Sequence, residues 1–163
     1  LKFGIKVIIN DLWKVMLLYG ISIILGCFAL TVIVHLTFYF LRQVCFGYHF
    51  NNPVVCLIMS VITLPIGVKL LTLIQLQQSF IFGLYVTLVL IILMLAPVAT
   101  LKNPLLGLKH KKFLKKKVFI RLGILSVIFL FTTIYFQQLI VYSVLVLTLS
   151  LLIQKLIGGQ QNA

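Results

Sequence analysis

VMLLYGISIILGCFALTVIVHLTFYFL, residues 15–41, carries no Lys, Arg, Asp or Glu. Two more charge-free windows follow at 79–99 and 122–154. An apolar helix of roughly 20 residues spans the bilayer hydrocarbon, and only structures that satisfy their own backbone hydrogen bonds are stable there. These runs therefore predict an all-α polytopic membrane protein with about four to six transmembrane or re-entrant helices. Composition agrees: of 163 residues, 63% are hydrophobic and 9% charged, against about 25% charged in soluble domains. The chain reads as one integral membrane domain, 1–163, without a sizeable extramembrane part.

The charges are lopsided. Net charge is +13, fourteen Lys and Arg against one acid, Asp11. Eight of the fourteen cations fall between Lys102 and Arg121, squeezed between apolar runs. That pattern reads as a basic cytoplasmic loop, 100–121, beside anionic lipid headgroups rather than as a nucleic-acid surface. A single acid also argues against aspartyl proteases, zinc-glutamate proteases and proton coupling through buried carboxylates.

Before the opening run, LKFGIKVIINDLWK (1–14) places Leu1, Ile5, Ile8 and Leu12 at helical spacing, with Lys2, Lys6 and Lys14 available to headgroups. It reads as an interfacial amphipathic helix or as a plain lead-in to the first span. Asn10, Asp11 and Trp13 do not fit a cleavable signal peptide. Downstream, 54–76 is apolar but contains Pro65, Gly67 and Lys69, which predicts a kinked or partly inserted helix. APVATLKNPLLG (96–107) breaks the next span, and two final apolar runs are expected to meet near Gln137 and Gln138. The absence of an evident internal repeat argues against a transporter built on inverted repeats.

Topology raises a parity problem. If the N-terminal lysines and 102–121 are both cytoplasmic, an even number of crossings separates them, yet three apolar runs lie between. Either the first run draws on 1–14 and breaks near Gly26 into two crossings, or one run is re-entrant. The first solution places Arg42 and His49 at the cytoplasmic face, as does a non-crossing first run.

Polar and reactive groups crowd into RQVCFGYHFNNPVVC, residues 42–56. His49 and Cys56 are seven positions apart, about 10 Å along a continuous helix. Pro53, however, predicts a turn that opens a new helix, with Cys56 in its first turn, where free backbone donors and the helix dipole favour thiolate. A loop folding back would make a Cys-His nucleophile and base pair; the competing reading is a small core cysteine. Arg42 suits a substrate-carboxylate clamp, a loop anchor or a headgroup anchor. Gly47 permits a sharp turn or close approach. Cys45, His49 and Cys56 supply three soft metal ligands without a fourth nearby, so no metal or other cofactor is expected.

LTFYFLRQVCFGYHFNNPVVC (36–56) is similar to the signature of the accessory gene regulator protein B (AgrB) family, membrane cysteine endopeptidases of peptide quorum sensing. Arg42, Gly47, His49 and Cys56 fall on its pattern, and APVATLKNP (96–104) with the basic stretch after it resembles a second family segment. Where many relatives carry a second Arg and extra histidines, this chain has Gln43, Val44 and Phe46. The resemblance implies His49 and Cys56 as the catalytic pair and Cys45 as a bystander. It also implies removal of the C-terminal tail of an AgrD-like precursor peptide through a Cys56 thioester, with cyclisation to a thiolactone or lactone. Gln43, Asn51, Asn52 and Ser60 are candidates to orient His49 or stabilise the oxyanion. Lys109, Lys111, Lys112, Lys115, Lys116 and Lys117 suit an acidic precursor tail or lipid headgroups. The expected setting is a bacterial cell membrane with the site toward the cytoplasm, and a homodimer would suit the family. The alternative from the residues alone is a non-enzymatic membrane protein, holin-like or a small transport component.

Overall fold

The computed structural model describes residues 2–48, 52–98 and 107–161, the side chains of 2–11, 107–108 and 158–161 excepted. Among the described residues there is no strand. Six helices follow one another: α1 (Lys2–Ile24), α2 (Phe28–Cys45), α3 (Pro53–Thr72), α4 (Gln78–Leu95), α5 (Gly107–Phe131) and α6 (Ile134–Gln161). α2, α3, α4 and Ile134–Ile157 of α6 are long and apolar enough to cross a membrane, while Leu12–Ile24 of α1 forms a shorter apolar helix. The chain is thus the all-α polytopic membrane protein expected from its apolar runs.

The charge-free run 15–41 is two helices. Gly26, at φ +67°, takes the left-handed conformation that glycine adopts at little cost. The Gly26 N–H donates to the Ile23 carbonyl at 3.0 Å and the Cys27 N–H to the Ser22 carbonyl at 2.9 Å, the paired bonds of a Schellman stop. Residues 2–14 are not separate from this first run, for α1 continues through them to Ile24.

The chain divides into two compact units. The first comprises 1–33 and 50–75, in which α1 packs along α3. α3 changes pitch midway: Ile62–Ile66 is a π-helical turn between α-helical Pro53–Val61 and Gly67–Thr72. Pro65 lies inside that turn. Proline has no N–H and its ring crowds the carbonyl four residues back, so the wider turn lets the helix run past it. The Cys27 thiol donates to the Pro65 carbonyl at 3.6 Å, and the Thr31 hydroxyl to the Cys27 carbonyl at 2.9 Å. The turn between α1 and α2 therefore sits beside the π-helical turn of α3.

The second unit holds 34–49 and 76–163. Its core is built from stripes at three- and four-residue spacing: Ile81, Tyr85, Leu88 and Ile92 on α4, Val118, Leu122, Leu125 and Phe129 on α5, and Ile140, Val144, Leu147 and Leu151 on α6. Leu41, Val44 and Cys45 at the end of α2 join them. The Tyr85 ring stacks on Phe129 at 4.1 Å, and its hydroxyl meets Ser126 at 3.0 Å. Away from this core, Phe82, Val86, Leu90, Phe119, Ile124, Val127 and Leu130 are exposed, as helices surrounded by lipid require.

Two expectations need correction. The stretch 100–121 is not a loop from end to end: Gly107 onward is helical and runs without a break to Phe131. Leu114, Val118 and Leu122 give it a buried stripe, and lysine is a good helix former. The last two helices separate at Thr132 and Thr133, not at the glutamines. Gln137 and Gln138 are buried within α6, where Gln137 Nε2 donates to the Phe129 carbonyl at 2.9 Å and satisfies the open end of α5.

Candidate functional site

The stretch around Cys56 is organised locally. Asn52 is the N-cap of α3, its side chain accepting the Val54 N–H at 2.9 Å, and Pro53 occupies the first helical position. Asparagine caps a helix well because its oxygen replaces a missing helical acceptor, and proline there has no donor to leave unpaired. Cys56 N–H then donates to the Asn52 carbonyl at 3.1 Å, closing the first turn. Cys56 thus stands where Pro53 predicted. Ser60 lies one turn on, its hydroxyl donating to the Cys56 carbonyl at 2.8 Å. Both Asn52 and Ser60 are engaged with the backbone of their own helix. Of the three free cysteines, Cys27 and Cys45 are buried and Cys56 is partly exposed.

His49 and Asn51 lie outside the described residues, which end just before them at Tyr48. Phe46 and Gly47 have φ of 63° and 113°, so the chain turns sharply as it leaves α2. Gly47 is buried, and a Cβ built there would lie 2.6 Å from Ser150 Oγ. The close approach that glycine permits is therefore to α6. Tyr48 N–H donates to the Ser150 carbonyl at 3.2 Å, and Arg42 Nη2 donates to the Tyr48 carbonyl at 3.0 Å. Arg42 also lies over the Phe38 ring, 5.2 Å from its centre. The bond to the Tyr48 carbonyl is the contact a loop anchor would make.

Gln43 looks elsewhere: its Oε1 accepts Arg121 Nη1 at 2.9 Å, and the same guanidinium donates to the Phe40 carbonyl and covers the Phe40 ring. Cys45 is fully buried, with its carbonyl accepting the Val98 N–H at 3.4 Å. Ser150 and Arg121 carry no sequence signal for these roles, because each acts on residues far away in the chain. Among the described residues, no three His, Cys, Asp or Glu side chains come together as a metal ion would need.

Lys109, Lys111, Lys112, Lys115, Lys116 and Lys117 are all exposed on the first half of α5. The chain's single acid, Asp11, cannot neutralise six lysines. Their counter-charge must come from outside the chain, and no lysine here is buried at a cost.

Helices of membrane length, with a partly exposed cysteine at a capped helix start and a sharp turn at Phe46 and Gly47 after Arg42, define a polytopic membrane protein with a candidate thiol centre. The model of the accessory gene regulator B family matches residues 1–155, and the chain belongs to that family. It is 28% identical over 153 residues to accessory gene regulator protein B of Staphylococcus saprophyticus, covering 91% of this chain and 78% of that one. The Staphylococcus aureus protein of the same name is 27% identical over 153 residues, 93% of this chain and 80% of its own. A putative AgrB-like protein of Listeria monocytogenes is 30% identical over 125 residues, 77% of this chain but 61% of that relative's length. No solved structure matches the chain. Family membership gives the protein a role in accessory gene regulator quorum sensing.

Proposed function

We propose that the chain is a membrane cysteine endopeptidase that removes the C-terminal tail of an AgrD-like precursor and promotes its closure into a thiolactone or lactone. The observation that carries this reading is the placement of Cys56: partly exposed at the capped start of α3, while Cys27 and Cys45 are buried. His49 takes the Cys56 thiol proton as the thiolate attacks the scissile carbonyl. The same imidazolium protonates the leaving amine, so the tail departs and the upstream peptide remains as a thioester on Cys56. An internal cysteine or serine of the precursor then attacks that thioester, forming the ring and regenerating the Cys56 thiol. Lipid around the site limits competing water. This chemistry uses only the two side chains and the precursor.

The site is assigned to the cytoplasmic face. Counting α1 and α2, which part at Gly26, as two crossings gives the even number that the basic regions require. With one crossing per helix, Arg42, His49 and the start of α3 share the cytoplasmic side with every cation except Lys69, in keeping with the positive-inside rule. The exposed lysines of α5 then offer an acidic tail a long-range attraction.

The test is tail release from a synthetic precursor by the full chain reconstituted in lipid. Cys56→Ala and His49→Ala should each abolish release, and Cys56→Ala should also abolish trapping of the thioester by hydroxylamine. Release that persists in both variants would sink the endopeptidase reading.

A further inference from the structure

The two peptide units that meet at Tyr48 are gripped from two helices. Arg42 on α2 holds the Tyr48 carbonyl at 3.0 Å. Ser150 on α6 receives the Tyr48 N–H on its own carbonyl at 3.2 Å, with its hydroxyl 3.5 Å from the Tyr48 carbonyl oxygen. The same hydroxyl fills the space a Gly47 side chain would need, 2.6 Å from the Cβ position. Each peptide unit is planar, so holding the Gly47–Tyr48 peptide by its N–H and the following one by its C=O leaves Tyr48 little freedom about either φ or ψ. His49 is one peptide bond further on.

We propose that Ser150 is a positioning residue for the cleavage chemistry: it seats the Gly47–Tyr48 turn on α6 and so sets the direction in which His49 leaves that turn. This rests on His49 acting as the base in the function proposed above. The energetic logic is that a general base must lie within hydrogen-bond reach of the proton it takes, and small misplacements at such a site cost rate far more than stability. A side chain with a branched, bulkier γ position at 150 would push against the Gly47 backbone and turn the Tyr48 peptide.

Three measurements on the reconstituted full chain test this. Ser150→Val should lower kcat for tail release about tenfold or more with KM for the precursor unchanged. It should slow Cys56 alkylation by iodoacetamide to the rate of His49→Ala, and adding it to His49→Ala should slow alkylation no further, because both act through one group. Gly47→Ala should cost several-fold less activity in a Ser150→Gly background than in the native one, by roughly fivefold as a coupling of two contacting sites. Ser150→Val with native kcat, an additive loss with His49→Ala, or an equal Gly47→Ala penalty in both backgrounds would each overturn the proposal. If Ser150→Val does not insert and fold, the Gly47 and Ser150 cycle decides alone. A His49→Ala variant that still cleaves rejects the base assignment itself, whereas inactive His49→Ala beside fully active Ser150→Val rejects only the role of Ser150.

Discussion

The two stretches that flank His49 are held by opposite means. From Asn52 to Cys56 the chain holds itself: a side-chain cap, a proline and the first backbone bond of α3 all lie within five residues. From Phe46 to Tyr48 it is held by others, by Arg42 on the preceding helix and by Ser150, 102 positions away from Tyr48. A locally capped turn keeps its shape as long as its own residues are intact. A turn seated on a distant helix keeps its shape only while that seat does, so the Cys56 side should tolerate distant change and the Tyr48 side should not.

The largest break is expected at Gly47. A non-glycine residue at its φ costs about 1–3 kcal/mol of backbone strain, and alanine would also meet Ser150 Oγ. Gly47→Ala should therefore cut tail release about a hundredfold, with helix content by circular dichroism and Cys56 exposure to a bulky maleimide unchanged. Loss of helicity in step with activity would mean that Gly47 serves the fold at large, and the contrast between the two stretches would lose its point.

Arg42 should follow, at about tenfold, since a hydrogen bond from a charged group contributes about 1.5–3 kcal/mol. Arg42→Gln removes the charge that holds the Tyr48 carbonyl, and Arg42→Lys should recover only part of the activity, lacking the planar guanidinium that covers Phe38. The split of kinetic constants separates two roles left open by the bare sequence. A loop anchor lowers kcat, whereas a clamp on a substrate carboxylate raises KM, and a pure KM effect would return Arg42 to the clamp.

The lysine face of α5 belongs to neither stretch and should behave differently from both. Changing Lys109, Lys112 and Lys116 together to Gln should raise KM for an acidic-tailed precursor several-fold and flatten its dependence on salt, with kcat held, because exposed charges steer binding and are screened within about 10 Å at 0.1 M salt. An unchanged KM would leave these lysines to the lipid headgroups alone.

How much of this was legible in the sequence follows the same division between near and far. The four membrane-length helices, the break at Gly26 and the helix start at Pro53 are written in short-range signals: charge-free length, glycine and an Asn-Pro pair. The helix over 107–121 was hidden by its lysines, because a charge run reads as a loop unless Leu114, Val118 and Leu122 are counted as one stripe. The glutamines at 137 and 138 read as a break for a similar reason, polarity inside an apolar run, when Gln137 is the cap of the helix before it. Ser150 was beyond reach of any reading along the chain, for nothing near it in sequence shows that Gly47 lies against it.

The smallest expected effect is at Asn52, and it sharpens the local half of the contrast. Removing an N-cap asparagine costs about 1 kcal/mol, which corresponds to roughly a fivefold loss of activity if all of it is felt at Cys56. Asn52→Ala should show that loss and Asn52→Ser should restore it, since a serine hydroxyl can accept the Val54 N–H in place of the amide oxygen. Asn52→Asp divides capping from charge: it caps as well as asparagine, so thermal stability should hold, but it sets a carboxylate in the same helical turn as a thiol that must ionise. Like charges repel one another, so Asn52→Asp should react more slowly with iodoacetamide than Asn52→Ser at neutral pH. Equal alkylation rates for the two at neutral pH would mean that the Cys56 thiolate does not feel the cap, and that the start of α3 places the nucleophile without activating it.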